Sequence, residues 1–274
     1  MIKEKSFDIY KKDADYIKSI IKEDVEIAII LGSGLSSVMD FMEDKIEIDY
    51  KDIPKFPHTT VKIHKGKLIF GKVNDKNIIC MSGRFHYYEG YEFSELAHPV
   101  YVLKLLGIKT LILTNASGGI NYNINPGDIV AITDHINLCG ASPTRGNNLE
   151  EFGDRFYSLN NIYDKDLREI AKSCAIKLGF SLKEGVYFYA VGPFFETKAE
   201  IRAMRILGAD IVGMSTITES ITAAHCGIKV LGLSLCTNYS SDRVIEHDMN
   251  DIDIISKKVE GDFTNLVYEI ISRI

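Results

Sequence analysis

VEIAIILGSGL, residues 25–35, is an apolar run broken only by Glu26 and closed by Gly32-Ser33-Gly34. The run is too short for a buried helix and lacks the alternation of a strand with one wet face. It therefore reads as a strand covered on both sides, the kind found in parallel sheets. The glycines that end it suit a tight turn, or a turn whose backbone N–H groups face an anion with the Ser33 hydroxyl beside them. Seven further runs have the same character: 67–73, 76–81, 110–114, 128–134, 184–190, 209–214 and 229–235. Helical periodicity fills the intervals at 7–22, 94–106, 164–178, 197–207, 217–226 and 250–272. The alternation predicts one α/β domain over residues 1–274, with a largely parallel sheet between helices and an N-terminal helix within residues 1–23.

Composition narrows the function. With 274 residues, 46% of them hydrophobic, the chain has enough material for a large core. A net charge of -6 excludes a nucleic-acid partner of the usual basic kind and leaves room only for a small anion. The charged N-terminus has no apolar segment of signal-peptide type, and no run approaches a membrane span. The five cysteines are scattered, with no C-x-x-C pair, which points to a reducing cytoplasm and no structural zinc. No linker divides the chain; the one long polar connection, 138–163, is of a length usually reserved for a functional loop or a subunit contact.

Ligands of open parallel sheets sit beyond the carboxyl ends of the strands, so those ends carry the candidates. NASGG, residues 115–119, repeats the glycine-lined turn and offers the backbone at Ala116. In DIVGMSTITES, 209–219, Thr216-x-x-Glu219 fits a capping box, which places Ser215 at a helix N-terminus where the dipole favours an anion; a simple cap is the other reading. SGRFHYYEG, 82–90, sets Arg84 and His86 two positions apart on an extended segment, hence on one side, and a guanidinium grips an oxyanion through two hydrogen bonds. His64 is a lone histidine before a strand, commonly structural. GPFFETKAE, 192–200, puts Glu196 behind two phenylalanines and ahead of a second capping box, Thr197-x-x-Glu200; LSLCTN ends at Asn238, an amide that donates and accepts at once. GSGLSS also carries two glycines of a dinucleotide fingerprint, with Asp49 near the distance of a ribose-binding acid, but Ser37 stands where the third glycine belongs.

Taken in order, LGSGL, GRFHYYEGY, TNASGG, GPFFETKAE, VGMSTITE and LSLCTN resemble the successive motifs of trimeric-type purine nucleoside phosphorylases, from residue 25 onward. The resemblance implies the nucleoside phosphorylase fold, a single α/β domain whose central mixed β-sheet is partly closed into a barrel and flanked by helices. It also implies a homotrimer. Carried over by position, Ser33, His64, Arg84, His86, Ala116 and Ser215 are expected around phosphate, and Tyr88 and Met214 around ribose. Phe195, Glu196 and Asn238 are expected around the purine. Phe156, in GDRFYS, resembles an aromatic lent by a neighbouring subunit from the 138–163 loop. The catalytic group is expected to be Asn238, Glu196 and His86. Orthophosphate is a co-substrate, and neither cofactor nor metal is implied.

The implied reaction is reversible phosphorolysis of purine (deoxy)nucleosides, with inosine and guanosine preferred because a 6-oxopurine presents N1–H to a carboxylate and adenine does not. An aspartate at position 238 would have pointed instead to the methylthioadenosine branch. A nucleoside- or phosphate-binding module without turnover fits the same pocket. Two departures stand out. Family members commonly place a histidine for the ribose 5′-hydroxyl just before the last helix, where this chain reads EHDMNDIDII, leaving His247, Asn250 and Asp251 open for that contact. Ser117 replaces the more frequent alanine.

Overall fold

The 25–31 run forms strand β1 (Ile27–Ile30), buried along its whole length. It lies between two parallel neighbours, β4 (Lys76–Ser82) and β5 (Thr110–Gly119). The computed structural model describes residues 6–32, 35–60, 65–244 and 249–274, the side chains of residues 249, 251 and 252 excepted. Beyond β4 the sheet continues through β3 (Lys67–Val73) to an edge strand, β2 (Glu43–Asp49), both pairings antiparallel. On the other side β5 runs alongside β9 (Lys229–Tyr239) in parallel, while its last two residues pair antiparallel with β8 (Ile211–Gly213). β8 then joins β7 (Lys183–Tyr189), β7 joins β6 (Ile129–Ile136), and β6 returns to β9. The ring β5–β8–β7–β6–β9 is a closed barrel, so the sheet is mixed and partly closed, as the family resemblance implies.

The alternation of runs had suggested a more nearly parallel sheet. Periodicity reports which faces are buried and carries no information on direction, so the antiparallel pairs escaped it. The β3–β4 hairpin is one of them. Its Asn74-Asp75 turn holds φ of 49° and 60°, the left-handed pair that matches the twist of two adjacent strands. β2, missed altogether, is a charged and mostly exposed edge in which only Ile48 is buried. Such a strand shows no core face to a pattern search.

Helices cover both faces. One layer contains α1 (Phe7–Ile20), α3 (His98–Leu106) and α6 (Ile217–His225); the other contains α4 (Lys165–Lys177) and the long α7 (Met249–Arg273). The single helix expected at 94–106 is divided into α2 (Phe93–Leu96) and α3 around Ala97, with a proline in the first turn of α3 where a missing N–H costs nothing. α5 (Lys198–Ile206) completes the set and starts at the Thr197–Glu200 capping box read from sequence, both reciprocal hydrogen bonds being present.

Gly32, after β1, is required for close approach more than for turning. A Cβ there would stand 2.6 Å from Asn115 Cα and 2.7 Å from the Thr114 carbonyl oxygen. Its N–H donates to Thr114 Oγ1 at 2.9 Å, which ties the glycine turn to β5. The segment after it forms a short 3-10 helix, Ser36–Phe41, and then the antiparallel β2, whose Asp49 lies near Lys51 and Lys67. This is not the strand–turn–α-helix unit of a dinucleotide site, and the fingerprint reading is set aside. Among the described residues no helix is long and apolar enough to cross a membrane, no group of His, Cys, Asp or Glu is arranged to hold a metal, and all five cysteines are free.

Candidate active site

Arg84 leaves the end of β4 and enters the interior, where it is 2% exposed. Its Nε donates to Glu219 Oε1 at 2.6 Å, and Nη1 donates to the Thr114 carbonyl at 2.7 Å and, more distantly, to Ser215 Oγ at 3.4 Å. Nη2 is buried and has no hydrogen-bond partner among the described residues. Buried donors are almost always satisfied, and the exceptions concentrate where a ligand completes them. Two sequence candidates thus converge, the arginine after β4 and the serine after β8, at Thr114 on β5, two residues before the expected Ala116.

A polar network underlies this point. Ser234 on β9 donates to Asn115 Oδ1 at 2.6 Å and shares a 2.6 Å contact with Ser117 Oγ; Asn115 Nδ2 donates to Thr216 Oγ1 at 2.9 Å. Successive residues of β5 face opposite ways, so Ser117, like Asn115, points into this network while Ala116, partly exposed, faces the other side. The serine that replaces the family's alanine therefore has partners of its own.

The capping box expected at Thr216–Glu219 does not form. Thr216 caps α6 at φ 76° with no side-chain cap hydrogen bond. That is a left-handed conformation costly for a β-branched residue and held only by its surroundings. Glu219 turns inward to Arg84 instead, because a buried guanidinium offers a carboxylate far more than an orphan amide does.

His86, 7% exposed, stacks on Tyr88 with ring centroids 4.6 Å apart. Its Nδ1 lies 2.8 Å from Glu89 Oε1, and its backbone N–H donates to the same oxygen at 2.8 Å. Burial opposes ionisation of Glu89, but the His86 hydrogen bond together with the Thr60 amide and hydroxyl outweighs it and holds the carboxyl at about 2. An ionised carboxylate only accepts, so Nδ1 carries the proton and the ring plane is fixed. Sequence reading passed over Glu89; its signal was an acid three residues after a histidine inside a glycine-bounded turn. With a folded value near 2 and an unfolded one near 4.5, Glu89 adds stability above about pH 4.5 that disappears as pH falls toward 2. Glu89→Gln is accordingly expected to lower the melting temperature at pH 7 and to flatten its acid decline between pH 5 and 2, measured by thermal denaturation across that range.

Tyr88 and Met214 meet at Gly192. A Cβ on Gly192, which has φ 64°, would stand 2.3 Å from Met214 Sδ and 3.3 Å from Tyr88 Cδ1. From that glycine the chain passes through Pro193, Phe194 and Phe195 to Glu196. Phe194 and Phe195 are 61% and 37% exposed, whereas Glu196 is 9% exposed and its carboxyl is raised above the ordinary range, chiefly by burial. Asn238 sits on β9 just past a register shift opposite Ser117/Gly118, an irregularity of the kind that re-aims a side chain. A Cβ on Gly118 would come within 3.2 Å of Asn238 Nδ2, so the glycine leaves room for the amide. In this structure Asn238 Nδ2 donates to the Tyr239 carbonyl at 3.1 Å and Oδ1 accepts from Thr237 at 3.0 Å.

Phe156 is 89% exposed on the 138–163 connection. Ser33, His64 and His247 lie outside the described residues, as does the Asp251 side chain, and Asn250 is exposed at the start of α7. A separate cleft of about 590 Å³ opens between α1 and the 54–58 and 91–98 segments and shares no lining residue with the Arg84 cluster.

Comparison with known proteins identifies the family. The family model described as Phosphorylase superfamily matches residues 26–272. Purine nucleoside phosphorylase 1 of Bacillus subtilis (strain 168) is 41% identical over 269 residues, covering 97% of this chain and 98% of that protein. The crystal structure of Schistosoma mansoni purine nucleoside phosphorylase in complex with inosine superposes with a TM-score of 0.93 at 40% identity, covering 97% of this chain and 96% of the other. The complex of the S. mansoni enzyme with adenosine gives a TM-score of 0.93 at 39% identity, covering 97% of each chain. A family model spanning nearly the whole domain, and a relative matched almost end to end, place the chain in the purine nucleoside phosphorylase family of the phosphorylase superfamily.

Proposed function

We propose that this chain catalyses the reversible phosphorolysis of purine (deoxy)nucleosides, releasing the free base and (deoxy)ribose 1-phosphate, with inosine and guanosine preferred. The observation that carries it is the buried Arg84, whose Nη2 no described residue satisfies, set beside Ser215 and the middle of β5. Orthophosphate fills that donor, with His86 oriented by Glu89, the Ala116 backbone, Ser33 and His64 as further contacts. Ribose lies against Tyr88 and Met214, its 5′ end toward the segment of His247, Asn250 and Asp251. The purine rests on Phe195 between Glu196 and Asn238.

Cleavage leaves positive charge on the ribosyl carbon and negative charge on the base, and only groups that bind the two charges better than they bind the substrate speed the reaction. Phosphate beneath the sugar stabilises the first and then attacks, its orientation already set by the arginine. Asn238 turns its amide from the Tyr239 carbonyl to purine N7 and O6 and stabilises the second. No covalent enzyme intermediate or cofactor enters this scheme.

Glu196 sets base preference. As a carboxylate it accepts from N1–H of a 6-oxopurine and from the guanine 2-amino group, whereas adenine N1 faces it as a second acceptor, a buried mismatch of about 1–3 kcal/mol. The adenosine complex of the S. mansoni enzyme makes adenosine the telling competitor. Burial raises the Glu196 carboxyl, so it takes a proton at a higher pH than an ordinary glutamate. As pH falls through that value kcat/KM for guanosine is expected to drop, and Glu196→Gln to abolish that limb of the profile.

Phe156 is the most exposed of the large apolar side chains among the described residues, as an aromatic that inserts into another copy of the chain would be. We place Phe156 in a neighbour's site within a cytoplasmic homotrimer, which light scattering at working concentration tests. The reaction is tested by assaying inosine, guanosine, adenosine and methylthioadenosine with and without orthophosphate. Base release from inosine that needs phosphate and yields ribose 1-phosphate is the expected result; an equal rate in phosphate-free buffer means hydrolysis and overturns the reading.

A further inference from the structure

Glu219 sits in the first turns of α6, 4% exposed, 135 positions away in sequence from the arginine it holds. Each of its oxygens has a hydrogen bond among the described residues: Oε1 accepts from Arg84 Nε at 2.6 Å, and Oε2 accepts from Thr218 Oγ1 at 2.8 Å. A buried ion pair of this kind adds little net stability, since removing two charges from water costs about as much as their attraction returns. Its geometric consequence is larger. A guanidinium is a rigid planar fork with five donors, so fixing Nε on one side and Nη1 on the Thr114 carbonyl determines where Nη2 points. Nη2 is the donor that no described residue satisfies.

We propose that Glu219 is the positioning residue of the phosphate site: it holds the plane of Arg84 so that the Nη2 edge meets the incoming anion, and it offsets the buried positive charge when no anion is bound. The inference rests on the phosphorolytic reading above. α6 accepts a strained start for the same end. Thr216 takes φ 76° instead of capping the helix through Glu219, and is held there by Asn115 Nδ2, while the Ser215 N–H donates to the Tyr187 hydroxyl at 3.1 Å. The carboxylate that sequence reading assigned to a helix cap is thereby released to the arginine.

Shape and charge at position 219 are separable. Glu219→Gln keeps the length: its amide oxygen still accepts from Nε, and its NH2 donates to Thr218 Oγ1. Glu219→Asp keeps the charge but is one methylene short, so it reaches Nε only if the guanidinium tilts. Positioning therefore predicts that Asp is the more harmful change. The phosphate KM is expected to rise about tenfold or more in Glu219→Asp, the loss of one well-formed charged hydrogen bond, and less than about threefold in Glu219→Gln, which keeps a weaker bond from the charged guanidinium to a neutral acceptor. The nucleoside KM is expected to stay within about twofold in both. Phosphate-induced thermal stabilisation, which needs no turnover, is expected to follow the same order.

A phosphate KM raised more by Gln than by Asp, or equally by both, overturns the inference, as does a loss of melting temperature with both KM values unchanged. Wild-type base release that does not saturate with phosphate removes the phosphate site and the inference together. Saturable phosphate dependence in the wild type with no Asp-over-Gln order removes the inference alone.

Discussion

Asn238→Ala is expected to lower kcat for inosine about 10²–10³-fold, the loss of about 2.7–4 kcal/mol that follows removal of one donor aimed at developing negative charge. The phosphate KM should move by less than about threefold, because the proposed anion site, at Arg84 and the β5 backbone, does not include Asn238. The structure gives a reason to expect the damage in turnover instead of binding. The amide is engaged with the Tyr239 carbonyl and with Thr237, so in the proposed reaction its contacts with the purine would be made at the expense of these, and the net gain would come where charge builds on the ring. Equal losses in turnover and in phosphate affinity would place Asn238 in a general structural role and remove it from leaving-group activation.

Arg84→Ala is expected to act on stability and on phosphate together. Truncation leaves Glu219 a buried carboxylate without its cation, a loss of about 3–5 kcal/mol, and it deletes the donors offered to the anion. Two charged hydrogen bonds at about 1.5–3 kcal/mol each make a rise of at least about a hundredfold in phosphate KM the expected outcome. The double variant Arg84→Ala/Glu219→Ala tests the first part separately, since removing the stranded charge should recover part of the lost melting temperature without restoring phosphate binding. A single variant that melts with the wild type and keeps its phosphate KM contradicts both halves of the account.

Much of the architecture was legible because burial leaves a periodic trace. The 67–73 and 229–235 runs read as strands because each holds a short apolar stretch, Leu68–Phe70 in one and Val230–Leu233 in the other, buried throughout, and α5 begins where Thr197 and Glu200 satisfy one another's backbone. β2 left little trace, since its only apolar residues are Ile46 and Ile48 among acids and a lysine, and of its seven residues Ile48 alone is buried. The site was half legible for a related reason. Arg84, His86, Glu196 and Asn238 announce themselves as polar side chains at strand ends, where an apolar core has no use for them. Glu89 and Glu219 were passed over because each has a plausible local employment, one in a polar loop and one as a helix cap.

The sequence by itself determined the order of the strands other than β2, the positions of most helices, the polar residues at their ends and the family to which those blocks are similar. All of these depend on neighbours within a few positions, where steric preference and periodicity act. The tertiary structure alone decided that β5 closes on β9, that Thr216 abandons its cap, and that Glu219 binds an arginine 135 residues away. Such choices are settled by competition among partners for a buried charge, and the winning partner is known only when the chain has brought them into contact.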